Sequence, residues 1–352
     1  MESQDQFIRI LTEFNWMRMQ NPKDWKKSWE DGKYDEYANT MYLLDHIILD
    51  PVKLNHVTGC TYKMFMDFLH KIITKILLIP ERPLFFEDDL SADLENKSRM
   101  HVRHVLLMAF MRTIGGGSDF LSIMPNVDQS TASRYLAFIL PVLLDMLPSA
   151  HNLFTEMHKN PDTASRLLPD GKLLIDAILT PVEQPRDAEW PYEEYSGTNK
   201  KHHYTTLILA NTDGIIIGSS LPAKTNSYDM VLDSFKPELD GLINSLDKKP
   251  KNLRIYSKRF VRINRMFPGI VESRTNSRGG PLNGREIALN KRTNQILIEI
   301  EQAIQRMQHF GVTRKPYDDT IQELNFDMQI VTGLVNLNMA YQHKKYQWLL
   351  DL

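Results

Sequence analysis

The spacing of the apolar residues changes near residue 170, and this change separates two structural classes within one chain. Before it the pattern is helical: in Tyr62–Ile73, apolar residues recur at spacings of three and four, and Thr61 or Thr58 is placed to cap the helix. After it, Lys172–Leu179 is a short apolar run with β-branched residues, which predicts a buried strand. We therefore expect an all-α part followed by a mixed α/β part.

The second part alternates strand and helix patterns. Two further strands flank Asn211–Gly214, an Asp-Gly turn that tolerates the positive φ of a hairpin. This order predicts a central sheet covered by helices. The predicted elements are strands at 204–210, 215–219 and 253–256, and helices at 227–235, 293–309 and 320–350.

The helical part contains a pattern typical of a helix-turn-helix. Between about 98 and 148, helical segments flank Gly115–Ser118 and Pro125–Asp128, with a short helix predicted at 118–123 and a longer one from Gln129, capped by Asp128. The polar face of the longer helix offers donors suited to base edges and phosphates. Simple packing of three short helices is the more common cause of such a pattern. The DNA-contact residues predicted on this helix are Gln129, Ser130, Ser133 and Arg134.

The near-zero net charge of the chain is the sum of a strongly basic segment and an acidic remainder. The 352 residues include 42 Lys and Arg and 44 Asp and Glu, and 42% hydrophobic residues with 24% charged residues exclude a mainly disordered or fibrous chain. Residues 247–292, here named the basic segment, carry a local net charge of +10, so the remainder carries −12. A patch of this kind neutralises phosphates, although a solvated surface balanced by the acidic linker at 87–95 is the alternative.

The cysteine content, the N-terminal pattern and the length of the apolar runs bear on the cellular compartment and on membrane insertion. Cys60 is the sole cysteine, which excludes an internal disulfide and a Cys-rich zinc site and favours a reducing compartment. The first residues lack a signal-peptide pattern, and the apolar run Val105–Met111 is too short to span a membrane. We expect an intracellular protein without a membrane partner, nuclear in a eukaryote or cytoplasmic in a prokaryote.

Asp176 is the candidate catalytic carboxylate. It lies inside an otherwise apolar strand pattern, where an unpaired carboxylate is costly to bury. Such an Asp either forms an ion pair or binds a metal ion, and its neighbours leave both roles open. Metal-assisted phosphoryl transfer uses carboxylates that converge on two cations about 4 Å apart.

Five stretches occur in an order typical of one family. They are Gln129–Arg134, Ile175–Pro185, Tyr195–His202, Tyr228-Asp229 and Glu301–Phe310. In this order they resemble the helix-turn-helix, the block of the first catalytic Asp, the following basic block, a His-Asp position and the helix with the third acidic residue of DDE-superfamily transposases, of the Harbinger-like and related bacterial insertion-sequence type. The resemblance covers about residues 50 to 345.

The resemblance implies an RNase H-like nuclease domain behind an all-α helix-turn-helix domain. Asp176 would lie on its first strand, the second acidic residue at the end of its fourth strand and Glu301 on a later helix. Asp176 and Glu301 would be catalytic and would bind Mg²⁺ or Mn²⁺. Ser257 takes the place of the second Asp, and a hydroxyl followed by Lys258 and Arg259 is a poor site for a hard cation.

The leading hypothesis is a transposase-derived, domesticated DNA-binding protein with a degenerate nuclease site. An active metal-dependent transposase and a protein-interaction scaffold without DNA binding are the alternatives. Paired DNA ends favour a homodimer, and domestication favours protein partners. The predicted domains are a helical region with the acidic linker (1–97), the helix-turn-helix (98–165), the nuclease domain (166–315) and a C-terminal helix (316–352). The remaining predicted DNA contacts are Lys200, Lys201, Lys258, Arg259, Arg262 and Arg265.

Overall fold

The structure is a computed structural model, and the chain divides into two compact units, Met1–Met146 and Leu147–Leu352. The predicted linker at 87–95, the short helix at 118–123 and the turn at 125–128 lie outside the described residues. The described residues are 44, 47–78, 102–115, 129–182, 195–196, 201–224, 228–246, 253–257, 267, 271–273, 281–317 and 320–351.

The first unit is built from helices wherever it is described. Asp50 caps α1 by accepting bonds from the backbone N–H groups of Val52 and Lys53. Thr61 caps α2, because its Oγ1 accepts from the Met64 backbone at 3.3 Å. The predicted helix and its Thr61 cap are therefore confirmed. The helices are α1 (Pro51–Thr58), α2 (Tyr62–Leu77), α3 (Val102–Gly115) and α4 (Gln129–Met146).

Helix α3 forms the centre of the first unit. Every residue from Val105 to Met111 is buried, and α1, α2 and α4 all contact this helix. Phe65 and Phe68 of α2 pack on Phe110, each with a centroid distance of 6.1 Å. A helix that is apolar on all sides is stable when other helices surround it, so the apolar run serves as a core element.

The second unit begins earlier than the sequence predicts. Helices α5 (Ala150–Lys159) and α6 (Pro161–Leu167) belong with the sheet, whereas the predicted boundary lay at 165/166. The reason lies in long-range bonds: the backbone N–H groups of Ala150 and His151 donate to the side chains of Thr332 and Gln329 at 3.0 and 2.9 Å. These bonds fix the start of α5 to the second unit.

The second unit contains a six-stranded mixed sheet. Its order is β2-β3-β1-β5-β6, with β4 also paired to β3. The pairs β1–β3, β2–β3 and β3–β4 are antiparallel, whereas β5 is parallel to both β1 and β6. The predicted mixed α/β class is confirmed. The strands are β1 (Lys172–Pro181), β2 (Tyr195–Ser196), β3 (Lys201–Ala210), β4 (Ile216–Ser219), β5 (Arg254–Ser257) and β6 (Val271–Ser273).

The later helices differ from the predicted bounds at their ends. Helix α8 begins at Gly284 rather than 293, because Asn283 and Glu286 form a reciprocal capping box. The final predicted helix ends at Gln342, and a separate 3-10 helix (Lys344–Asp351) follows it. The remaining helices are α7 (Tyr228–Leu246), α8 (Gly284–Met307), α9 (Gly311–Arg314) and α10 (Ile321–Gln342).

One face of the sheet, here named the α7 face, carries an extensive apolar core. Side chains of β1, β3 and β5 on this face pack against α5, α6, α7 and the C-terminal 3-10 helix. Successive residues of a strand point to opposite faces, so the members of this core identify the face. The core residues on these strands and on β4, together with Ile215 immediately before β4, are Leu173, Ile175, Leu207, Leu209, Ile215, Ile217 and Ile255.

The opposite face, here named the α8 face, is covered by α8. This helix contacts β1, β3, β5 and β6, yet its buried residues Leu297, Ile300 and Ile304 do not belong to the core of the α7 face. The turn between β3 and β4 also packs on α8. Gly214 has φ +80°, and a Cβ there would lie 3.4 Å from the Glu299 carbonyl oxygen.

Candidate functional site

Asp176 lies near the middle of β1 and on the α8 face. Its backbone is opposite Ile208 of β3, and its side chain alternates with those of Ile175 and Ala177, which pack on the α7 face. The neighbouring positions on the same face are apolar, since Leu174 and Ile178 are buried. Asp176 itself is half-buried. The predicted catalytic carboxylate is thus held on a rigid strand under α8.

The Asp176 carboxylate has a structural contact of its own. Its Oδ1 accepts the backbone N–H of Ala177 at 2.9 Å. The backbone carbonyls of Gly171 and Pro181 accept bonds from the backbone N–H groups of Arg254 and Tyr317. The backbone N–H and C=O groups of odd-numbered residues in β1 therefore point away from β3 and toward the β5 edge. The described part of β5 ends opposite Ile175. The Ala177 N–H lies beyond this ladder, and the Asp176 carboxylate accepts its hydrogen bond.

Ser257, the residue that the resemblance aligns with a second catalytic Asp, lies on the other face of the sheet. It is the last residue of β5 and pairs with Ile175, just as Ile255 pairs with Leu173. Register partners on neighbouring strands point to the same face, so Ser257 lies on the α7 face and Asp176 on the α8 face. The Ser257 side chain is fully buried, and its Oγ has no hydrogen-bond partner in the described part of the chain.

Glu301 lies on α8, the helix that covers the face of Asp176. It follows Leu297 by one turn and precedes Ile304 by one turn, and it is half-buried beside this stripe. The residues that contact the Gly214 turn are Glu299, Ala303 and Arg306. Glu301 lies about 200° around the helix from Glu299 and Ala303, away from that turn. The structure therefore brings the elements of Asp176 and Glu301 to the same face.

The described residues do not fit the predicted metal site. Among them, no group of three or more His, Cys, Asp or Glu side chains is arranged to hold a metal ion. A hard divalent cation requires several oxygen ligands, and two adjacent cations require more negative charge than Asp176 and Glu301 supply. Ser257 cannot add an oxygen from the opposite face. These residues therefore support no metal-dependent step.

Unpaired hydroxyl groups lie near Asp176. Thr180 and Thr206 are fully buried on the α8 face, and their Oγ1 atoms have no hydrogen-bond partner among the described residues. Thr206 is opposite Ile178, which makes it a diagonal neighbour of both Asp176 and Thr180. Sequence reasoning missed these groups, since threonine is common in strands and gives no signal of its own.

A charged segment covers the C-terminal end of β1. The backbone N–H of Tyr317 donates to the Pro181 carbonyl at 2.9 Å, and its hydroxyl donates to the buried carboxylate of Asp327 at 2.8 Å. Arg314 and Lys315 precede it. Burial and then the charge of Arg314 lower the pKa of Lys315 from its ordinary value. Two cations therefore lie next to the strand that carries Asp176.

The predicted DNA contacts are only partly described. Ser130, Ser133 and Arg134 are exposed in the first turns of α4, whereas Ala132 and Tyr135 are buried, so the predicted polar face points to solvent. Within the basic segment, Arg285, Lys291 and Arg292 are exposed on α8. The side chains of Gln129 and Lys201 and the residues Lys200, Lys258, Arg259, Arg262 and Arg265 lie outside what the structure describes.

Comparison of the chain with protein-family models, with curated proteins and with solved structures finds no match. Within the described residues, no single helix has both the length and the apolar composition to cross a membrane; the helices Ala132–Met146 and Ala150–Lys159 meet that test only as a bent pair.

Proposed function

We propose that this chain is a transposase-derived DNA-binding protein whose nuclease-like site does not cut DNA efficiently. The lack of efficient cleavage is proposed from one observation. In the register that pairs Ser257 with Ile175, the position that the resemblance gives to the second Asp is on the face opposite Asp176. A third ligand for a metal at Asp176 and Glu301 is therefore not supplied from this position.

The arrangement of the second unit supports an RNase H-like domain. Its first long strand carries Asp176 and is followed by an antiparallel hairpin, and β5 then adds beside the first strand in parallel. Ser257 is the last residue of β5, and Glu301 lies on a later helix that contacts β1. This order of elements along the chain supports the kind of fold that the resemblance implies. In the first unit, the exposed polar start of α4 supports a helix-turn-helix.

The distribution of charge supports DNA as the partner. The basic segment carries a net +10, and its described residues Arg285, Lys291 and Arg292 are exposed. Cations at the surface release counterions from DNA when they bind phosphates, which gives affinity that depends on salt but little on sequence. Ser130, Ser133 and Arg134 would add contacts to base edges or phosphates. DNA binding thus requires no functional metal site.

The test is a salt titration of DNA binding with the full chain. Fluorescence anisotropy with a labelled duplex should give an affinity that falls with a log–log slope of several, since each phosphate contact contributes about 0.9. The double variant Arg259→Glu and Arg262→Glu should lower both affinity and slope. The matched control is Lys159→Glu with Lys344→Glu, which changes the net charge equally at two exposed positions outside the basic segment. No salt-dependent binding, or equal effects of the two double variants, would favour the protein-interaction scaffold.

A further inference from the structure

The N-terminal part of α8 extends beyond the core of the second unit. The helix has 24 residues, but its buried residues begin only at Thr293 and continue to Met307. Every side chain in Gly284–Arg292, here named the α8 arm, is exposed or half-buried, and a Cβ added at Gly284 would meet no atom within 4 Å. At 1.5 Å per residue the α8 arm is about 13 Å long. It is available to a partner on most of its circumference.

The α8 arm is held helical by its own cap rather than by the core. The Asn283 side chain accepts the Glu286 backbone N–H at 2.9 Å, and the Glu286 carboxylate accepts the Asn283 backbone N–H at 2.8 Å. This capping box satisfies donors at the start of the helix. From Thr293 onward the same helix is packed on the sheet. The arm is therefore a preformed helix, and binding to it costs little conformational entropy.

The cations of the α8 arm flank a small residue. Arg285 and Arg292 lie two turns apart and about 20° apart around the helix axis. Ala288 is about 40° from Arg292, and Lys291 lies about 60° farther in the same direction, so Ala288 has cations on both sides. All three basic side chains are exposed, and within the described ranges none of them forms a salt bridge. The single carboxylate of the arm, Glu286, is used by the cap.

We infer that the α8 arm enters the major groove of duplex DNA, with Ala288 toward the base edges and Arg285, Lys291 and Arg292 on the phosphates of the two strands. This inference rests on the proposed DNA-binding function. The major groove is about 12 Å wide and admits a helix, whose diameter with side chains is about 10–12 Å. The small side chain of Ala288 lets the helix backbone approach the floor of the groove. Cations on both sides of Ala288 match the two phosphate backbones that line the groove.

Exposed apolar residues on the same helix raise a protein partner as the alternative. Ile287 is 55% exposed and Ile298 is 44% exposed, and they lie about 20° apart around the axis. Single exposed isoleucines are ordinary on protein surfaces, whereas three cations without a carboxylate to neutralise them favour phosphate. If a protein covers the arm instead, the cross-linking experiment below gives no DNA adduct from it.

The geometry of α8 directs the bound DNA away from the carboxylate site. Glu301 lies about 160° around the helix from Arg285 and about 180° from Arg292, and it is about 13 Å farther along the axis than Arg292. Phosphates bound to these guanidinium groups are therefore on the side of α8 opposite Glu301. DNA held in this way is bound without being presented to Asp176 and Glu301.

The first test removes two of the cations. Arg285→Gln with Arg292→Gln should weaken duplex affinity about tenfold and lower the log–log salt slope by about 1.8, because each lost phosphate contact contributes about 0.9. The matched control is Lys159→Gln with Lys344→Gln, which removes the same charge at two exposed positions outside α8. Equal losses of affinity and slope in the two double variants would overturn the inference.

The second test blocks the close approach without changing charge. Ala288→Phe should weaken duplex affinity about tenfold, because the ring keeps the helix backbone away from the floor of the groove. The control is Gln305→Phe, which adds the same side chain at an exposed position near the other end of α8. Equal far-UV circular dichroism shows that both variants keep their helices. A wild-type affinity in Ala288→Phe, or an equal loss in Gln305→Phe, would contradict insertion of the arm.

The closing experiment maps the DNA along α8. Ala288→Cys and Gln305→Cys place single exposed thiols on the arm and on the packed part of the helix. The native Cys60 does not interfere, since it is buried and burial raises the pKa of its thiol to about 12. Each variant is coupled to benzophenone maleimide, bound to a duplex and irradiated.

DNA cross-linking from position 288 should exceed that from position 305 by about fivefold or more, because the two positions lie about 25 Å apart along the helix. Equal yields, a higher yield from 305, or no cross-link from either position while the wild-type protein binds the duplex would overturn the inference and leave the DNA-binding proposal intact. Absence of duplex binding by the wild-type protein, measured beforehand by anisotropy, would instead remove the proposed function itself.

Discussion

At the residue scale, the side chain of a buried asparagine makes the backbone hydrogen bonds that a neighbouring strand would otherwise make. Asn336 of α10 accepts the Ile216 backbone N–H at 2.8 Å and donates to the Ile216 carbonyl at 2.7 Å. The same amide donates to the Pro148 carbonyl at 2.8 Å. Ile216 lies on β4, whose other edge pairs with β3. Asn336 therefore closes the open edge of β4 and ties it to the start of the second unit.

Replacing Asn336 should be among the costliest single changes in the second unit. Asn336→Ala leaves two buried carbonyls and one N–H without this partner, so the free energy of unfolding should fall by about 3 kcal/mol. The control is Asn338→Ala on the same helix, whose side chain is half-buried and accepts a bond from Gln342. It should cost less than about 1 kcal/mol. Urea unfolding measures both, and equal losses would contradict the edge role.

At the element scale, the register between β1 and β5 decides what the candidate site contains. The resemblance aligns Ser257 with a catalytic Asp by counting residues along the chain. The parallel ladder assigns it to Ile175 and to the α7 face instead. A shift of one residue in register reverses the face of every side chain on a strand, so chemistry at this position depends on a long-range pairing.

Substitution of Ser257 tests this register directly. Ser257→Asp should place a carboxylate in the apolar core, destabilise the second unit by about 3 kcal/mol or more and give no metal-dependent DNA cleavage. Ser257→Ala should be nearly neutral, because the hydroxyl that it removes has no partner among the described residues. Thermal unfolding and a plasmid-nicking assay provide the readouts. A stable Ser257→Asp protein that gains cleavage would mean that this position faces Asp176.

The C-terminal 3-10 helix is held to the turn between β3 and β4 by polar contacts that can be tested. Tyr346 donates its hydroxyl proton to Asp213 and accepts a bond from Asn211 at 3.0 Å, and the Lys345 ammonium lies 2.6 Å from Asp213. Burial raises the pKa of Asp213, but the bonds from Lys345 and Tyr346 outweigh it and hold the pKa below its ordinary value of 3.8.

A lowered folded-state pKa means that Asp213 stabilises the fold above about pH 4 and loses this effect as the pH falls through the lowered value. Asp213→Asn should therefore be less stable than the wild-type protein at pH 6, and the difference should shrink below pH 4. Glu238→Gln, exposed on α7, controls for the loss of one surface carboxylate. The measurement is urea unfolding from pH 2.5 to 7, and a difference independent of pH would contradict the contact.

At the scale of the whole molecule, local sequence patterns predicted the elements but not their long-range relations. The strand around Asp176, the Asn211–Gly214 hairpin and the helix capped by Thr61 follow from spacing and turn chemistry. The short strands β2 and β6, the edge role of Asn336 and the burial of Phe267 depend on distant partners. No local pattern carries that information, because strand pairing and core membership are set by residues far apart in sequence.

The dependence on distant residues also explains which features of the candidate site the sequence predicts. An Asp in an apolar strand was visible in the sequence, and α8 does cover its face. The side on which Ser257 points was not visible, since it depends on the parity of pairing between two strands separated by a hairpin and a helix. The second unit begins earlier than predicted for a related reason, because side chains of α10 form hydrogen bonds with the start of α5.

Whether the DNA-bound protein cuts DNA is tested by measuring binding and cleavage in one sample. The full-length protein is added to supercoiled plasmid at a concentration that saturates duplex binding, with Mn²⁺ or Mg²⁺, beside an Asp176→Asn variant that keeps an oxygen for the Ala177 N–H. We expect both proteins to bind and the plasmid to stay intact with both. Mn²⁺-dependent nicking by the wild-type protein that disappears in Asp176→Asn would contradict this expectation.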